Sequence, residues 1–223
     1  MNRYAFLGDV HGDIGFCRNF AKQHSDRQVI QIGDLGVGTS TSNGGGYDEH
    51  ATIVAGWLPP RVVESLPSNF KFFVGNHDNR SEAIKLKNCL GNYGRYQDFF
   101  FVSGASSYDK ACRIMGQSWW PDEELSYEQA DEAIALWEKD TSKMLVCHDC
   151  PHSIAWNEYG MRETTFTRKM LQAMIEARKP EIIIYGHHHK TIRGNNNGIR
   201  YYGLPIAGDL LVDISENNDI TVL

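Results

Sequence analysis

The chain reads as an α/β protein, and three observations predict it. Short apolar runs of strand character alternate with segments of helical periodicity. Most of those runs stop at a glycine followed at once by a carboxylate, an amide or an imidazole. The first strand, helix and strand form a unit whose two strands run parallel, which brings their C-terminal ends to one sheet edge. With 223 residues, 41% of them hydrophobic, the chain can bury a large core without disulfide staples.

The opening run, residues 4–7, breaks at Gly8 and leads into Asp9-Val10-His11-Gly12-Asp13. In extended backbone, side chains two apart share a side, so Asp9 and His11 aim at one point. Asp13 suits the N-cap of a helix over 14–23. Residues 28–32 form the next strand, ending in Gly33-Asp34-Leu35-Gly36. Residues 37–47, rich in Gly, Ser, Thr and Asn, are expected as a loop that can rim the strand ends, and 48–58 as a helix stopped by Pro59-Pro60. His24 and His50 fall at ordinary helical positions.

A third strand over 69–74 ends in Gly75-Asn76-His77-Asp78, and 80–86 is helical. Residues 96–102 are strongly β-prone, and a further strand is expected over 112–115. The Trp119-Trp120 pair reads as packing. Ser126 and Gln129 form a capping box for the helix that follows, which carries acids on its outer face. A strand over 143–146 runs into Cys147-His148-Asp149, where His148 rather than His152 is the expected donor. Residues 153–165 are expected as a loop and 166–178 as a helix. The strand at 181–185 leads into Gly186-His187-His188-His189, with His187 and His189 on one side and His188 on the other. Segments 200–204, 209–214 and 219–223 close the chain as β-structure. With no linker, repeat or low-complexity boundary, one domain over 1–223 is expected.

Composition narrows the function. The formal charge of −6, from 28 acidic and 22 basic residues, argues against strong nucleic-acid binding. No apolar run approaches the roughly 20 residues that cross a bilayer, and no signal-peptide pattern opens the chain. A cytoplasmic protein without a membrane partner is expected. The five cysteines, Cys17, Cys89, Cys112, Cys147 and Cys150, are scattered and odd in number, which suits reduced thiols.

Asp9, His11, Asp34, Asn76, His148, His187 and His189 all follow expected strands. Carboxylate, imidazole and amide donors without thiolate suit Mn²⁺, Fe, Zn²⁺, Co²⁺ or Ni²⁺, with Mn²⁺ placed first. One tetrahedral ion needs four ligands, so seven groups suggest two divalent transition-metal ions.

The blocks Gly-Asp-x-His-Gly, Gly-Asp, Gly-Asn-His-Asp, a His after a strand and Gly-His-x-His, in this order from residue 8 to 189, resemble the calcineurin-like metallophosphoesterase superfamily. Ser118-Trp119-Trp120-Pro121 and Cys147-His148-Asp149-Cys150-Pro151 are similar to small single-domain members from bacteria and phages. The resemblance implies a four-layer αββα sandwich of two mixed β-sheets flanked by helices, with a dinuclear metal site at the strand C-terminal ends. It implies Asp9, His11 and His189 on one ion, Asn76, His148 and His187 on the other, and Asp34 bridging. His77 is implied as the catalytic histidine, donating a proton to the leaving oxygen. Arg80, in Gly-Asn-His-acid-x-Arg, is similar to the phosphate-gripping Arg of the serine/threonine phosphatase branch. That branch also carries an Asp-Arg pair after its second block; Asp34-Leu35-Gly36-Val37-Gly38 carries neither, and Arg162 or Arg193 are the arginines considered in its place.

The expected reaction is hydrolysis of a small-molecule or protein-borne phosphoester by hydroxide generated between two cations, with monoesters favoured over diesters. A phosphodiesterase or nucleotide hydrolase, a non-catalytic scaffold on the same fold, and a thiol enzyme built on Cys147 or Cys150 are the alternatives.

Overall fold

The computed structural model describes residues 1–38 and 58–223. Most of the expected helix over 48–58, with His50, and most of the loop over 37–47 lie outside those residues.

β1 (Asn2–Leu7) shows why the chain folds in layers. Tyr4 and Phe6 join one apolar cluster while Ala5 and Leu7 join another, because alternate side chains leave opposite faces and both faces are covered. Helix α1 (Ile14–Gln23) begins where the Asp13 side chain accepts from the Phe16 N–H, and it lays Cys17, Phe20 and Ala21 on β1. β2 (Gln28–Gln31) and β3 (Phe70–Phe72) extend the sheet in parallel. Between them runs the short α2 (Pro60–Glu64), and after β3 comes α3 (Arg80–Ala83), shorter than expected. At the far end of the chain β10 (Asp209–Ile214) and β11 (Ile220–Val222) add antiparallel strands, giving the order β11-β10-β1-β2-β3.

The second sheet has the order β4-β5-β6-β7-β9-β8. The stretch expected as one strand over 96–102 is instead a hairpin of β4 (Tyr93–Tyr96) and β5 (Phe99–Val102), turning at Gln97 with φ +49°. Its aromatic density concealed a two-residue turn. β6 (Met144–Cys147), β7 (Ile182–Tyr185) and β9 (Ile199–Gly203) run parallel to β5, and β8 (Ile192–Asn196), unanticipated for its polar residues, is the antiparallel edge. Helix α4 (Tyr127–Lys139) starts at the expected Ser126/Gln129 capping box. The loop expected over 153–165 is largely taken up by α5 (His152–Tyr159), which buries only Ile154 and Ala155 and so leaves a faint apolar signature. α6 (Phe166–Ala177) follows as expected. The strand expected over 112–115 is not formed; a 3-10 turn over Lys110–Cys112 leads into a single bridge between Met115 and Trp119.

Three apolar clusters define the layers. α1, α2 and α3 pack on the first sheet, and α4, α5 and α6 on the second. Between the sheets lie Tyr4, Phe6, Ile30, Phe73, Phe99, Phe101, Val146 and Ile184 among others, with Phe6 and Phe99 edge to face at 5.4 Å. The architecture is the four-layer αββα sandwich. Each fully buried Phe or Leu contributes roughly 1.5–3 kcal/mol, so the sheet pair is held by cumulative, non-directional burial. Among the described residues, no helix is long and apolar enough to cross a membrane.

Candidate metal centre

The C-terminal ends of β1, β2 and β3 on one sheet, and of β6 and β7 on the other, meet at one edge of the sandwich. The turns that leave them are tied together by backbone bonds. Val10 and His11 both donate to the Asp34 carbonyl, and Gly186 donates to that of His148. The fully buried Asp78 carboxylate accepts from the N–H groups of Leu35, Gly36, Val37 and Gly75, fastening the turn after β2 to the turn after β3. Committed to those groups, Asp78 is not the partner of the His77 ring.

On this frame two groups of donors form. Asp9, His11, Asp34 and His189 bring ligand atoms within 4.8 Å of one another, as do Asp34, His148 and His187, so Asp34 is shared. In the first group His189 Nε2 lies 2.9 Å from Asp9 Oδ2 and 3.1 Å from His11 Nε2. In the second, His148 Nε2 lies 3.3 Å from Asp34 Oδ1 and 3.1 Å from Asn76 Oδ1, which places Asn76 there too. His148 Nδ1 donates to the Ile32 carbonyl and so leaves Nε2 to face the group.

The backbone is distorted where these ligands sit. His11, Asp34, His187 and His189 have φ of +43°, +59°, +63° and +55°, a region that non-glycine residues rarely adopt. Such conformations cost on the order of 1–3 kcal/mol each and persist at functional sites. Glycines in these turns give the carboxylates room: a Cβ at Gly75 would run into the Asp34 carboxylate, and one at Gly186 would meet Asp9 Oδ1 at 2.5 Å.

The donors fit divalent cations. Burial alone would raise Asp34, but the His148 imidazole beside it holds the carboxyl well below the usual range. Burial likewise opposes charge on His148, yet Asp34 outweighs it and pushes the imidazole up to about 10, so a cation bound there would take the place of the proton that His148 holds against Asp34. Burial brings His187 down to about 3, so its ring is neutral, and its buried Nε2 has no hydrogen-bond partner. A neutral, unpartnered ring nitrogen beside two buried carboxylates is the environment a metal completes.

Beside the donors lies an open cavity of about 450 Å³ whose lining includes His77, Tyr108, Asp109, Arg113, Met161 and Ile206. The His77 N–H donates to Asp34 Oδ1 at 2.7 Å, and its Nε2 meets Arg113 Nη2 at 2.5 Å. Burial, with Arg113 adding to it, brings His77 below its ordinary pKa. Arg113 also pairs with Asp109 at 2.8 Å.

Arg80 requires a correction. It is 4% exposed and absent from the cavity lining. Its guanidinium donates to the carbonyls of Asp122 and Glu123, to Asn92 Oδ1 and to Ser103 Oγ. Those bonds commit it to the backbone of a neighbouring segment and turn it away from any substrate. Arg193 lies on β8, and neither it nor Arg162 lines the cavity. The cavity arginine is Arg113, which sequence reasoning missed because the strand expected over 112–115 concealed its loop. Asp149 was also missed: it is fully buried, 3.1 Å from Arg168 Nε and 2.9 Å from His188 Nε2, behind the second donor group.

The thiol reading fails. Cys147 and Cys150 are buried, and burial raises both thiols well above their ordinary value. His188 meets Cys150 Sγ and Asp149 through the same Nε2, whereas a base held by an orienting group uses two different ring nitrogens.

The sequence matches the family description of calcineurin-like phosphoesterases over residues 3–191. The chain belongs to that family. This calcineurin-like phosphoesterase is a metal-dependent phosphoric ester hydrolase, and the family's dinuclear divalent site corresponds to the two donor groups. Among solved structures it is similar to a dimetal phosphatase from Danio rerio, with TM-score 0.57 and 11% identity over 96% of this chain and 93% of the other. It is similar to a putative 5'-nucleotidase from Staphylococcus aureus solved with alpha-ketoglutarate, with TM-score 0.53 and 13% identity. That alignment covers all of this chain but only 53% of the other, so the chain spans about half of that relative. GAP50, described as the anchor in the inner membrane complex of Plasmodium, gives TM-score 0.52 and 12% identity over 99% and 83% of the two chains. At these identities the likeness is one of fold. No curated protein matches.

Proposed function

We propose that this phosphoesterase is a cytoplasmic phosphomonoesterase acting on a small-molecule or protein-borne phosphate, with Mn²⁺ as its favoured metal. Asp9, His11 and His189 would hold one ion and Asn76, His148 and His187 the other, with Asp34 common to both donor groups. The observation that carries the monoester reading is the meeting of Arg113 and His77 on one point of the cavity wall, beside the shared Asp34.

Two bound cations supply an activated water and neutralise charge developing on phosphorus. The protein's own groups do the rest. Arg113, held by Asp109, offers a guanidinium fork to terminal phosphate oxygens, the geometry that suits a dianion. A phosphate oxygen entering between Arg113 and His77 takes the place of their mutual contact. His77, fixed through its backbone N–H on Asp34 and released from Arg113, can then take up a proton from solvent on Nε2 beside the phosphate and give it to the leaving oxygen. The all-nitrogen-and-oxygen donor set supports Mn²⁺ over softer-ligand metals. The net charge of −6 supports a substrate other than long nucleic acid.

A phosphodiester reading is favoured by one feature, the apolar rim formed by Tyr108 and Ile206, 58% and 52% exposed, which can receive a second ester group. The ratio of turnover on p-nitrophenyl phosphate to that on its bis-ester, with Mn²⁺, Ni²⁺ and Zn²⁺ in turn, tests the proposal. A ratio above one that His77→Ala abolishes with both ions retained supports it; preference for the bis-ester overturns the monoester reading.

A further inference from the structure

The Asn76 side chain can aim either its oxygen or its nitrogen at the metal group, and only the oxygen ligates. Three buried groups decide which. Asn76 Nδ2 donates to Ser107 Oγ at 2.9 Å. The Ser107 hydroxyl donates to Glu123 Oε2 at 2.5 Å, and the Ser107 N–H donates to Glu123 Oε1 at 3.0 Å. Ser107 and Glu123 are each 4% exposed. An ionised carboxylate only accepts, so Glu123 fixes the direction of the hydroxyl hydrogen. With that hydrogen committed, Ser107 Oγ can only accept from Asn76, which turns Nδ2 towards Ser107 and Oδ1 towards His148 and the ion. Behind the carboxylate, Arg80 donates to the carbonyls of Asp122 and Glu123 and so places the backbone from which Glu123 reaches.

We infer that Glu123, acting through Ser107, is the positioning residue that sets the polarity of the Asn76 amide and thereby the affinity of the second metal ion. The inference rests on the metal reading of the site and goes beyond it by assigning Glu123, Ser107 and Arg80 to one chain of hydrogen bonds. Ser107 and Glu123 also bracket the segment that carries Tyr108, Asp109 and Arg113, so the contact that orients Asn76 closes the base of the loop that supplies the cavity arginine.

Glu123→Gln is the sharp test because it keeps the shape and changes the polarity. A glutamine nitrogen placed against Ser107 Oγ must donate to it. The hydroxyl hydrogen then turns to Asn76, whose amide flips and presents Nδ2 to the ion. Calorimetric titration of metal-free protein with Mn²⁺ reads the effect directly, without turnover. In Glu123→Gln one of the two ions is expected to bind on the order of 10–100-fold more weakly, with the other unchanged. Ser107→Ala is expected to weaken the same ion, and Glu123→Gln made in an Asn76→Ala background is expected to add no further loss. Retained far-UV dichroism and cooperative melting show that each variant folds. Two ions bound by Glu123→Gln at wild-type affinity would overturn the inference, and so would losses from Asn76→Ala and Glu123→Gln that multiply. Fewer than two ions bound by the wild type would sink the metal reading itself, which is a distinguishable result.

Discussion

Gly186→Ala isolates the contribution of one hydrogen atom to the metal centre. The φ of Gly186 lies outside the left-handed region, so alanine can adopt the same backbone. Its Cβ, however, would sit 2.5 Å from Asp9 Oδ1, whereas ordinary contact begins at 3.4 Å. The next neighbours, Asp9 Cγ and Ile32 Cδ1, are both at 3.6 Å and need not move. The whole shortfall of about 0.9 Å therefore falls on one carboxylate oxygen, and a misplacement near 1 Å costs on the order of 10²-fold when it reaches a reacting group. That oxygen also accepts from the His187 N–H at 3.2 Å, so its movement loosens the turn that carries both His187 and His189. The expected outcome is a loss on the order of 10–100-fold in affinity for the ion held by Asp9, with overpacking costing about 1–3 kcal/mol of stability. Asp9→Asn, which removes charge and keeps volume, should weaken the same ion. Metal content after dialysis against buffered Mn²⁺, measured by mass spectrometry, gives the first quantity and urea melts of the metal-free protein the second. A Gly186→Ala protein with two ions at wild-type affinity and wild-type turnover would refute the reasoning.

The two arginines should separate cleanly. Arg113→Ala is expected to raise KM for a monoester on the order of 10–100-fold, the loss of a charge-assisted fork, while costing less stability than Arg80→Ala, since it gives up one bond to a backbone carbonyl, that of Ser118, and a pair with the exposed Asp109. Arg80→Ala is expected to destabilise the fold by several kcal/mol, on the order of 3–5, because it strands buried acceptors; equal stability of the two variants would contradict both assignments. Alkaline stability supplies a test of the core. Burial pushes the Cys17 thiol from 9.0 to about 12, so above pH 9 the unfolded chain releases a proton that the folded chain retains. Cys17 therefore stabilises fully below pH 9, and its contribution is lost as pH rises towards 12. The urea midpoint of the wild type should fall faster between pH 9 and 11 than that of Cys17→Ala, and parallel curves would rule this out.

Much of the fold was legible because two signals agreed. Apolar runs marked strands buried on both faces, and polar turns marked their ends. The signal failed where a strand had no apolar face to show, as at β8, or where aromatic residues ran through a turn, as at Gln97. The donors were legible for a reason that the structure revises. Asp9 with His11, and His187 with His189, were expected to share a side through strand alternation, yet all four lie beyond the strands. His11, His187 and His189 reach the site through left-handed backbone, which the flanking glycines hint at without specifying. Arg80 was misread because its spacing in the motif carries no information about burial. Arg113 was invisible because its position depends on a loop closed by Ser107 and Glu123, sixteen residues apart in sequence.

The donors divide by sheet. Asp9, His11, Asp34 and Asn76 leave the five-stranded sheet, whereas His148, His187 and His189 leave the six-stranded one. Aliphatic and aromatic packing between the sheets resists separation but tolerates a small slide, since burial has no preferred direction. Coordination does not tolerate it. Ions held by both sets of donors would act as rivets across the seam, and any slip of one sheet over the other changes the distances between the two sets. Residues such as Phe6 and Phe99, deep in the seam and remote from the chemistry, thus become part of what keeps the two sets of donors in register.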